Sequence, residues 1–245
     1  MQTKAAAVLG ILLVCGGLNA SQKSSLVPQN AQEVLDRAYA SVGGSGRLRA
    51  VDRLRISLDE KQTLQPDTAR ARVYKLWLPG RFQNILPGLV THTLVDGKLS
   101  FDREVSAEVR SNAEQSIPGV FRFVTLTFLL RAPDLGPPKF IGAQTIDGLS
   151  GLVVEFPKTG RAEGRPIRML FDKETGLPRA VITSSRPFGS TGQFLDHVRR
   201  LDDYREVGGV KFPHKITLQH PQNPIIAQVH KIDVNPSFTA KDFSR

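Results

Sequence analysis

Apolar and polar residues alternate strictly in the stretch Leu54-Arg55-Ile56-Ser57-Leu58-Asp59. The same period of two returns at residues 73–78, where the apolar set is Tyr74, Leu76 and Leu78. A period of two is typical of antiparallel strands that bury one face and expose the other. Both segments are therefore predicted to be half-buried antiparallel strands.

Turn signals separate further strands along most of the chain. They are Pro66-Asp67, Pro79-Gly80, Asp96-Gly97, Asp147-Gly148, Glu174-Thr175-Gly176 and Gly208-Gly209. The Asp-Gly pairs favour type I′ hairpins, because both central residues of that turn need a positive φ. The strands predicted among the later turns are 152–156, 167–171, 179–183, 194–204, 210–218 and 226–234. Consecutive hairpins without a βαβ crossover predict a mainly β fold, in which one large antiparallel sheet closes on itself or wraps around a helix.

A helix is predicted before the first strand. Asn30 is a good N-cap with Glu33 three residues later, and Gly43-Gly44 marks the end of the helix. The residues that share one stripe of this helix are Val34, Leu35, Ala38, Tyr39 and Val42. Such a stripe must cover an apolar surface.

The segment 120–130 interrupts the series of hairpins and is apolar except for Arg122, Thr125 and Thr127. One interpretation is a helix that starts near Pro118 and ends before Pro133. The other is a buried strand, because the segment is rich in aromatic and β-branched residues. Both interpretations predict that the segment is buried or faces a cavity.

The first 20 residues have the pattern of an export signal. Lys4 supplies the positive charge, residues 5–14 form the apolar region, and a small-residue cleavage site ends at Ala20. Cleavage there predicts an exported, periplasmic chain that begins at Ser21, with a linker at 21–29 and one domain at 30–245. The alternative is a membrane-anchored lipoprotein modified at Cys15, but Val14 is a poor residue for the position before a lipidated cysteine.

The chain of 245 residues carries a formal net charge of +10. A charge this positive would favour nucleic acid in a cytoplasmic protein. The export signal argues against that partner and leaves an anionic membrane surface, an acidic envelope partner or solubility alone. The densest group of basic residues, which is the predicted contact with an anionic surface, comprises Arg47, Arg49, Arg53 and Arg55. Its alternative interpretation is a solvated face.

Nucleophile motifs are absent from the sequence: there is no Gly-x-Ser-x-Gly, no Walker or Rossmann glycine pattern, and no cysteine after Cys15. If the last hairpin turns near Gln222, His214 lies opposite His230, and His197 is too far along the sheet to join them as a metal ligand. The sequence thus predicts a cross-strand histidine pair, no metal, no cofactor and no enzymatic activity.

Three motifs carry a family resemblance: FDKETGLP at 171–178, DYREVGGVKFPH at 203–214 and IDVNPSF at 232–238. With the early helix that ends in Gly-Gly, they resemble the outer-membrane lipoprotein carrier and sorting superfamily (LolA/LolB-like). The resemblance implies a strongly curved antiparallel sheet, an unclosed half-barrel whose concave apolar face is covered by helices and holds acyl chains.

The leading functional hypothesis is a periplasmic carrier of a lipid or lipoprotein acyl chain. Its predicted apolar groove consists of Leu54, Ile56, Leu58, Tyr74, Leu76, Leu78, Phe121, Leu126, Leu129 and Leu130. A second hypothesis is an envelope scaffold whose half-barrel is filled by its own side chains and whose edge strand recruits a partner. A third, a hydrolase of envelope material, has no supporting motif.

Overall fold

The computed structural model describes residues 28–62, 65–78, 80–88, 90–96, 98–107, 110, 136–157, 166–185, 194–219 and 224–243. Twelve strands in these ranges form one antiparallel sheet. The strands are β1 (Arg53–Gln62), β2 (Gln65–Trp77), β3 (Arg81–Ile85), β4 (Thr91–Val95), β5 (Lys98–Phe101), β6 (Lys139–Ile146), β7 (Leu149–Phe156), β8 (Ile167–Phe171), β9 (Pro178–Ser185), β10 (Leu195–Val207), β11 (Val210–Gln219) and β12 (Ile225–Val234). The helices are α1 (Ala31–Ser41), α2 (Ser45–Arg49) and a 3₁₀ helix at Ala240–Phe243.

The strand order is β5-β4-β3-β2-β1-β12-β11-β10-β9-β8-β7-β6. Each strand pairs with its neighbours in the chain, except that β5 and β6 do not pair with each other. β1 also pairs with β12, so the first and last strands meet in the middle of the sheet. The two edges are β5 and β6, which are consecutive along the chain. This arrangement confirms the predicted antiparallel meander and unclosed half-barrel.

The hairpin turns follow the predicted signals with one exception. Asp147 and Gly148 both have positive φ, at 51° and 75°, as a type I′ turn requires. The predicted turn at Pro66-Asp67 is wrong, because Gln62 pairs with Gln65 and both residues lie inside β2. Proline is tolerated there because β3 pairs only with residues 73–77, so this part of β2 has no β3 partner that would need its amide.

Helix α1 closes one end of the half-barrel, called here the helix end. The Asn30 side chain accepts a hydrogen bond from the Glu33 amide at 2.9 Å, which confirms the predicted N-cap. At the other terminus the Lys211 amide donates to the carbonyl of Val42 at 2.9 Å. Gly43, at φ 114°, is required here because a Cβ would stand 2.2 Å from the carbonyl oxygen of Gly209.

The main core lies between α1 and the inner face of the sheet. From α1 it contains the predicted stripe residues Val34, Leu35, Ala38 and Val42, with Tyr39 packed against them. The sheet contributes buried side chains from both halves, including Leu54, Leu76, Phe82, Leu152, Phe171 and Phe212. A second, smaller cluster on the outer face consists of Val153, Leu170, Ala180, Ile182 and Val198.

Several predictions concern residues outside the described ranges. They are the export signal at 1–20, most of the linker at 21–29, and the apolar segment 120–130 with Phe121, Leu126, Leu129 and Leu130. These stay predictions. In the part of the chain that the structure describes, no helix is long and apolar enough to cross a bilayer.

The turn between β8 and β9 holds α1 in place. The carboxylate of Asp172 accepts hydrogen bonds from the amides of Glu174 and Thr175 at 3.1 and 2.8 Å. The Arg37 guanidinium of α1 donates to the carbonyl of Lys173 in the same turn at 3.1 Å. The Thr175 amide is the main reason why the pKa of Asp172 lies below its usual range.

We predict that Asp172→Ala lowers the free energy of unfolding at pH 7 by about 1–2 kcal/mol, because the turn loses its acceptor. A lowered folded-state pKa stabilises the fold above the unfolded-state pKa, and this contribution is lost as the pH falls through the folded-state value. The difference between wild type and variant should therefore shrink below about pH 4. Urea denaturation of both proteins at pH 7 and pH 3 measures this difference in the free energy of unfolding.

Asp202→Ala is the matched control, because the carboxylate of Asp202 forms an exposed ion pair with Arg179 at 3.8 Å. It should cost less than about 0.5 kcal/mol. If the loss in free energy of unfolding caused by Asp172→Ala were the same at pH 7 and pH 3, it would contradict the lowered pKa of Asp172.

Candidate functional site

The inner face of the sheet is apolar at the helix end. Leu54 of β1 pairs with Leu76 of β2, Leu76 pairs with Phe82 of β3, and Phe82 pairs with Leu94 of β4. The first three are at most 1% exposed, and Leu94 packs against the same core. Because directly paired residues share a face, this row forms a continuous apolar surface beneath α1.

The next row along the strands starts apolar and becomes polar. Ile56 pairs with Tyr74, Tyr74 with Asn84, Asn84 with His92, and His92 with Phe101 of the edge strand β5. Two residues along a strand advance about 6.6 Å, so this row lies one step farther from α1. The inner face therefore changes from apolar to polar away from the helix end.

An ion pair continues the polar region on the same face. Arg72, which pairs with Leu58 across the ladder, lies 2.6 Å from the carboxylate of Glu60. The Tyr74 hydroxyl donates to the other oxygen of Glu60 at 3.4 Å. Burial raises the pKa of Glu60, and the charge of Arg72 opposes that shift. We call Glu60, Arg72, Tyr74, Asn84 and His92 the inner polar cluster.

His92 is held in a setting that disfavours its charged form. Burial lowers its pKa, and the positive charge of Arg72 adds to this effect. The ring meets Phe101 edge-on at a centroid distance of 5.1 Å. At neutral pH, His92 is therefore a neutral imidazole beside an aromatic ring.

The opposite half of the sheet does not show this change in polarity. Met169 of β8 is buried on the inner face. Farther from the helix end, Thr183 accepts a hydrogen bond from the Arg199 guanidinium at 3.2 Å. Phe156 and Ile167, which pair with each other at the same far end, are nevertheless buried in the main core. The polar far end of the inner face therefore belongs to β1–β4.

The structure brings the described residues of the predicted apolar groove onto one face. Leu54, Ile56, Leu58, Tyr74 and Leu76 belong to the main core and are at most 5% exposed, while Leu78 is half-buried. Their side chains are thus already covered. Their contact with a ligand stays a prediction.

The four arginines predicted to contact an anionic surface lie away from the inner face. Arg47 and Arg49 are exposed on α2, and Arg55 is exposed on the outer side of β1. Arg53 stacks over the ring of Trp77 at 4.5 Å and pairs with Asp52 at 3.2 Å. Three of the four thus remain exposed at the helix end.

The predicted histidine pair is wrong. Lys215 pairs with Gln228 and Ile216 with Ala227, so the register is shifted by one residue from the one that would place His214 opposite His230. A shift of one residue puts the two side chains on opposite faces. Accordingly, His214 is 4% exposed, whereas His230 is exposed and lies 2.8 Å from Asp59. The described residues include no group of three His, Cys, Asp or Glu side chains that could hold a metal ion.

The comparisons with known proteins concern structure alone, since no protein-family model and no curated protein matches the chain. A LolA superfamily protein from Nitrosomonas europaea has a TM-score of 0.54 and 12% identity, over 89% of this chain and 99% of its own. An outer membrane lipoprotein-sorting protein domain from Vibrio parahaemolyticus has a TM-score of 0.53 and 11% identity, over 88% and 97%.

A third similar structure is a DUF1329 family protein from Desulfovibrio piger, with a TM-score of 0.55 and 7% identity over 87% of this chain and 96% of its own. The three structures agree with the unclosed sheet described above. This chain therefore has a LolA-like fold.

We predict that the effects of Glu60 and Arg72 on the free energy of unfolding depend on each other. Arg72→Leu alone leaves a carboxylate with 14% exposure without its partner, and we expect it to lower the free energy of unfolding by about 2–4 kcal/mol. The double variant Glu60→Leu/Arg72→Leu should be less destabilised than either single variant. Denaturation of all four proteins in a double-mutant cycle measures the coupling, and additive effects would contradict it.

Proposed function

We propose that this protein is a non-enzymatic carrier of a hydrophobic ligand in the periplasm, and that the ligand is a lipid or lipoprotein acyl chain. The observation that supports this proposal most is the inner face of an unclosed sheet, which is apolar at the helix end and, on β1–β4, polar at its far end. An acyl lipid has the same division into an apolar chain and a polar head. The similar structure from Vibrio parahaemolyticus, a lipoprotein-sorting protein domain, supports the same proposal.

The opening between β5 and β6 supports the proposal. The chain that joins these two edges contains the apolar segment 120–130, for which the sequence predicts a buried or cavity-facing position. We propose that Phe121, Leu126, Leu129 and Leu130 of this segment face the ligand together with Leu54, Ile56, Leu58, Tyr74, Leu76 and Leu78. Because five of the latter six are at most 5% exposed, binding requires that their cover move aside.

The length of the ligand's acyl chain should decide its affinity for the protein. Each buried methylene contributes about 0.8 kcal/mol, whereas association costs about 4–15 kcal/mol. About ten methylenes are therefore needed before the gain offsets the cost. Affinity should rise with chain length over this range.

A second candidate function is an envelope scaffold, and the burial of Leu54, Leu76 and Phe82 at no more than 1% exposure favours it. In that case the protein's own side chains fill the half-barrel. An edge strand, β5 or β6, would then recruit a protein partner by strand addition.

A lipid test separates the two functions. The purified mature protein is extracted with organic solvent for mass spectrometry, then stripped of lipid and titrated with a fluorescent fatty acid. We predict a co-purified acyl lipid and saturable uptake, which Leu126→Asp should abolish and Thr125→Ser should leave nearly unchanged. A correctly folded protein that yields no lipid and takes up no probe would favour the scaffold function.

We also propose that the exported protein meets an anionic membrane surface through Arg47, Arg49, Arg53 and Arg55. Replacing all four by Gln should weaken binding to anionic vesicles at least tenfold, because each arginine near such a surface contributes about 1 kcal/mol. Binding should also fall as salt rises past physiological strength, where the Debye length is about 8 Å.

The matched control changes the same number of charges at other exposed positions, namely Lys98, Arg103, Lys139 and Lys173. Vesicle sedimentation compares both variants with the wild type. If the two variants lose binding equally, net charge alone explains the attraction and the arginine cluster has no special part.

A further inference from the structure

Asn84 differs from the other buried polar side chains in the described part of the chain, which are Gln83, Thr93, Thr183 and His214. Gln83 donates to Thr93 at 3.1 Å, Thr183 accepts from Arg199, and the His214 ring lies 3.0 Å from the carbonyl of Phe212. The Asn84 side chain is 4% exposed, and its carbonyl oxygen Oδ1 has no hydrogen-bond partner. A buried acceptor without a partner lowers stability, so its presence requires an explanation.

A second unpartnered atom lies beside it. His92 is directly opposite Asn84 on β4, which places their Cβ atoms about 4.5–5.5 Å apart on the same face. The Nε2 atom of His92 is buried and also has no hydrogen-bond partner. Two adjacent strands therefore present two unsatisfied polar atoms to one place on the inner face.

The charged groups near this place are paired or exposed, and Asp102, whose charge opposes the lowering of the His92 pKa, is exposed and pairs with Arg103 at 3.6 Å. Glu60 and Arg72 neutralise each other at 2.6 Å, and the Tyr74 hydroxyl is turned toward Glu60. The imidazole of His92 is neutral at neutral pH, for the reasons given above. The Arg110 guanidinium lies 4.9 Å from the centre of the Phe101 ring, next to His92. Arg110 itself is exposed to solvent.

One chemical group satisfies both free atoms. A hydroxyl can donate its proton to Oδ1 of Asn84 and accept a hydrogen bond from the Nε2–H tautomer of His92. A carboxylate or phosphate cannot donate to Oδ1 and would place a negative charge near that of Glu60. The two atoms thus favour an uncharged group that both donates and accepts, and a hydroxyl is such a group.

We propose that Asn84 and His92 form the headgroup subsite of the ligand and bind an uncharged, hydroxyl-bearing head such as that of a monoacylglycerol. The inference rests on the proposed carrier function. The acyl chain then runs from this row toward α1 along the apolar row of Leu54, Leu76 and Phe82.

Competition with a fluorescent fatty acid tests the proposal on lipid-stripped protein at neutral pH. The competitors share a twelve-carbon chain and differ in the head: 1-monolauroylglycerol, methyl laurate and laurate. The wild type should bind 1-monolauroylglycerol about tenfold more tightly than methyl laurate, because two hydrogen bonds are gained. Asn84→Leu should remove this preference and retain binding of methyl laurate.

Stability supplies an independent readout. Asn84→Leu removes the unsatisfied amide from a face lined by Tyr74 and Phe82, so it should raise the Tm of the lipid-free protein by about 2–4 °C. Gln83→Leu is the matched control, since Gln83 is a buried amide on the opposite face of the same strand and already has its partner. It should lower the Tm and leave the preference among the lipids unchanged.

Equal affinity of the wild type for 1-monolauroylglycerol and methyl laurate would overturn the headgroup subsite while leaving the carrier function intact. Tighter binding of laurate than of 1-monolauroylglycerol, or a preference that survives in Asn84→Leu, would also overturn it. Failure of all three lipids to compete, together with failure of the probe to bind, would overturn the carrier function and the subsite together.

Discussion

The pairing of β1 with β12 is the constraint on which the rest of the molecule depends. It brings the first and last strands together in the middle of the sheet, so a chain of successive hairpins can leave an opening at one place alone, between β5 and β6. The free edges are therefore consecutive in sequence. Every strand turns one face inward, and α1 covers the helix end of that face. An unclosed sheet with an apolar inner face follows from this single arrangement.

The inner face combines burial with a change in polarity. Near α1, side chains such as Leu54 and Leu76 have almost no exposure, and they stabilise the fold as any core does. Farther away, Asn84 and His92 carry atoms that no described group satisfies. A core selected for stability alone would place apolar residues there. The polar atoms lower stability, and this is the observation from which the headgroup subsite is proposed.

Local patterns predicted most of the elements. The period of two identified β1 and the later strands, and the cap at Asn30 identified α1, because each signal depends on neighbouring residues alone. Register was harder to predict, since it depends on the length of a loop. An error of one residue at the last hairpin changed the face assigned to His214 relative to His230. An apparent turn at Pro66-Asp67 proved to be strand because the hairpin closes earlier, where Gln62 pairs with Gln65.

The inner polar cluster could not be predicted from local patterns. Asn84 and His92 lie in five-residue strands, where a single alternation such as Phe82 and Asn84 in RFQNI gives little indication of the buried face. Their proximity results from the pairing of β3 with β4, and the ion pair results from the pairing of β1 with β2. The alternation in RFQNI was nevertheless the one available signal, because it places an amide on the face of a buried phenylalanine.

Photo-crosslinking tests the central claim, that the inner face holds an acyl chain, most directly. A fatty acid with a diazirine along its chain is bound to the lipid-stripped protein and irradiated, and the adducts are located by mass spectrometry of peptides. Because inner and outer residues alternate along β1, the account predicts adducts at Ile56 and Leu58 and none at Ser57 or Asp59. Adducts confined to the outer residues, or spread equally over both faces, would contradict the account.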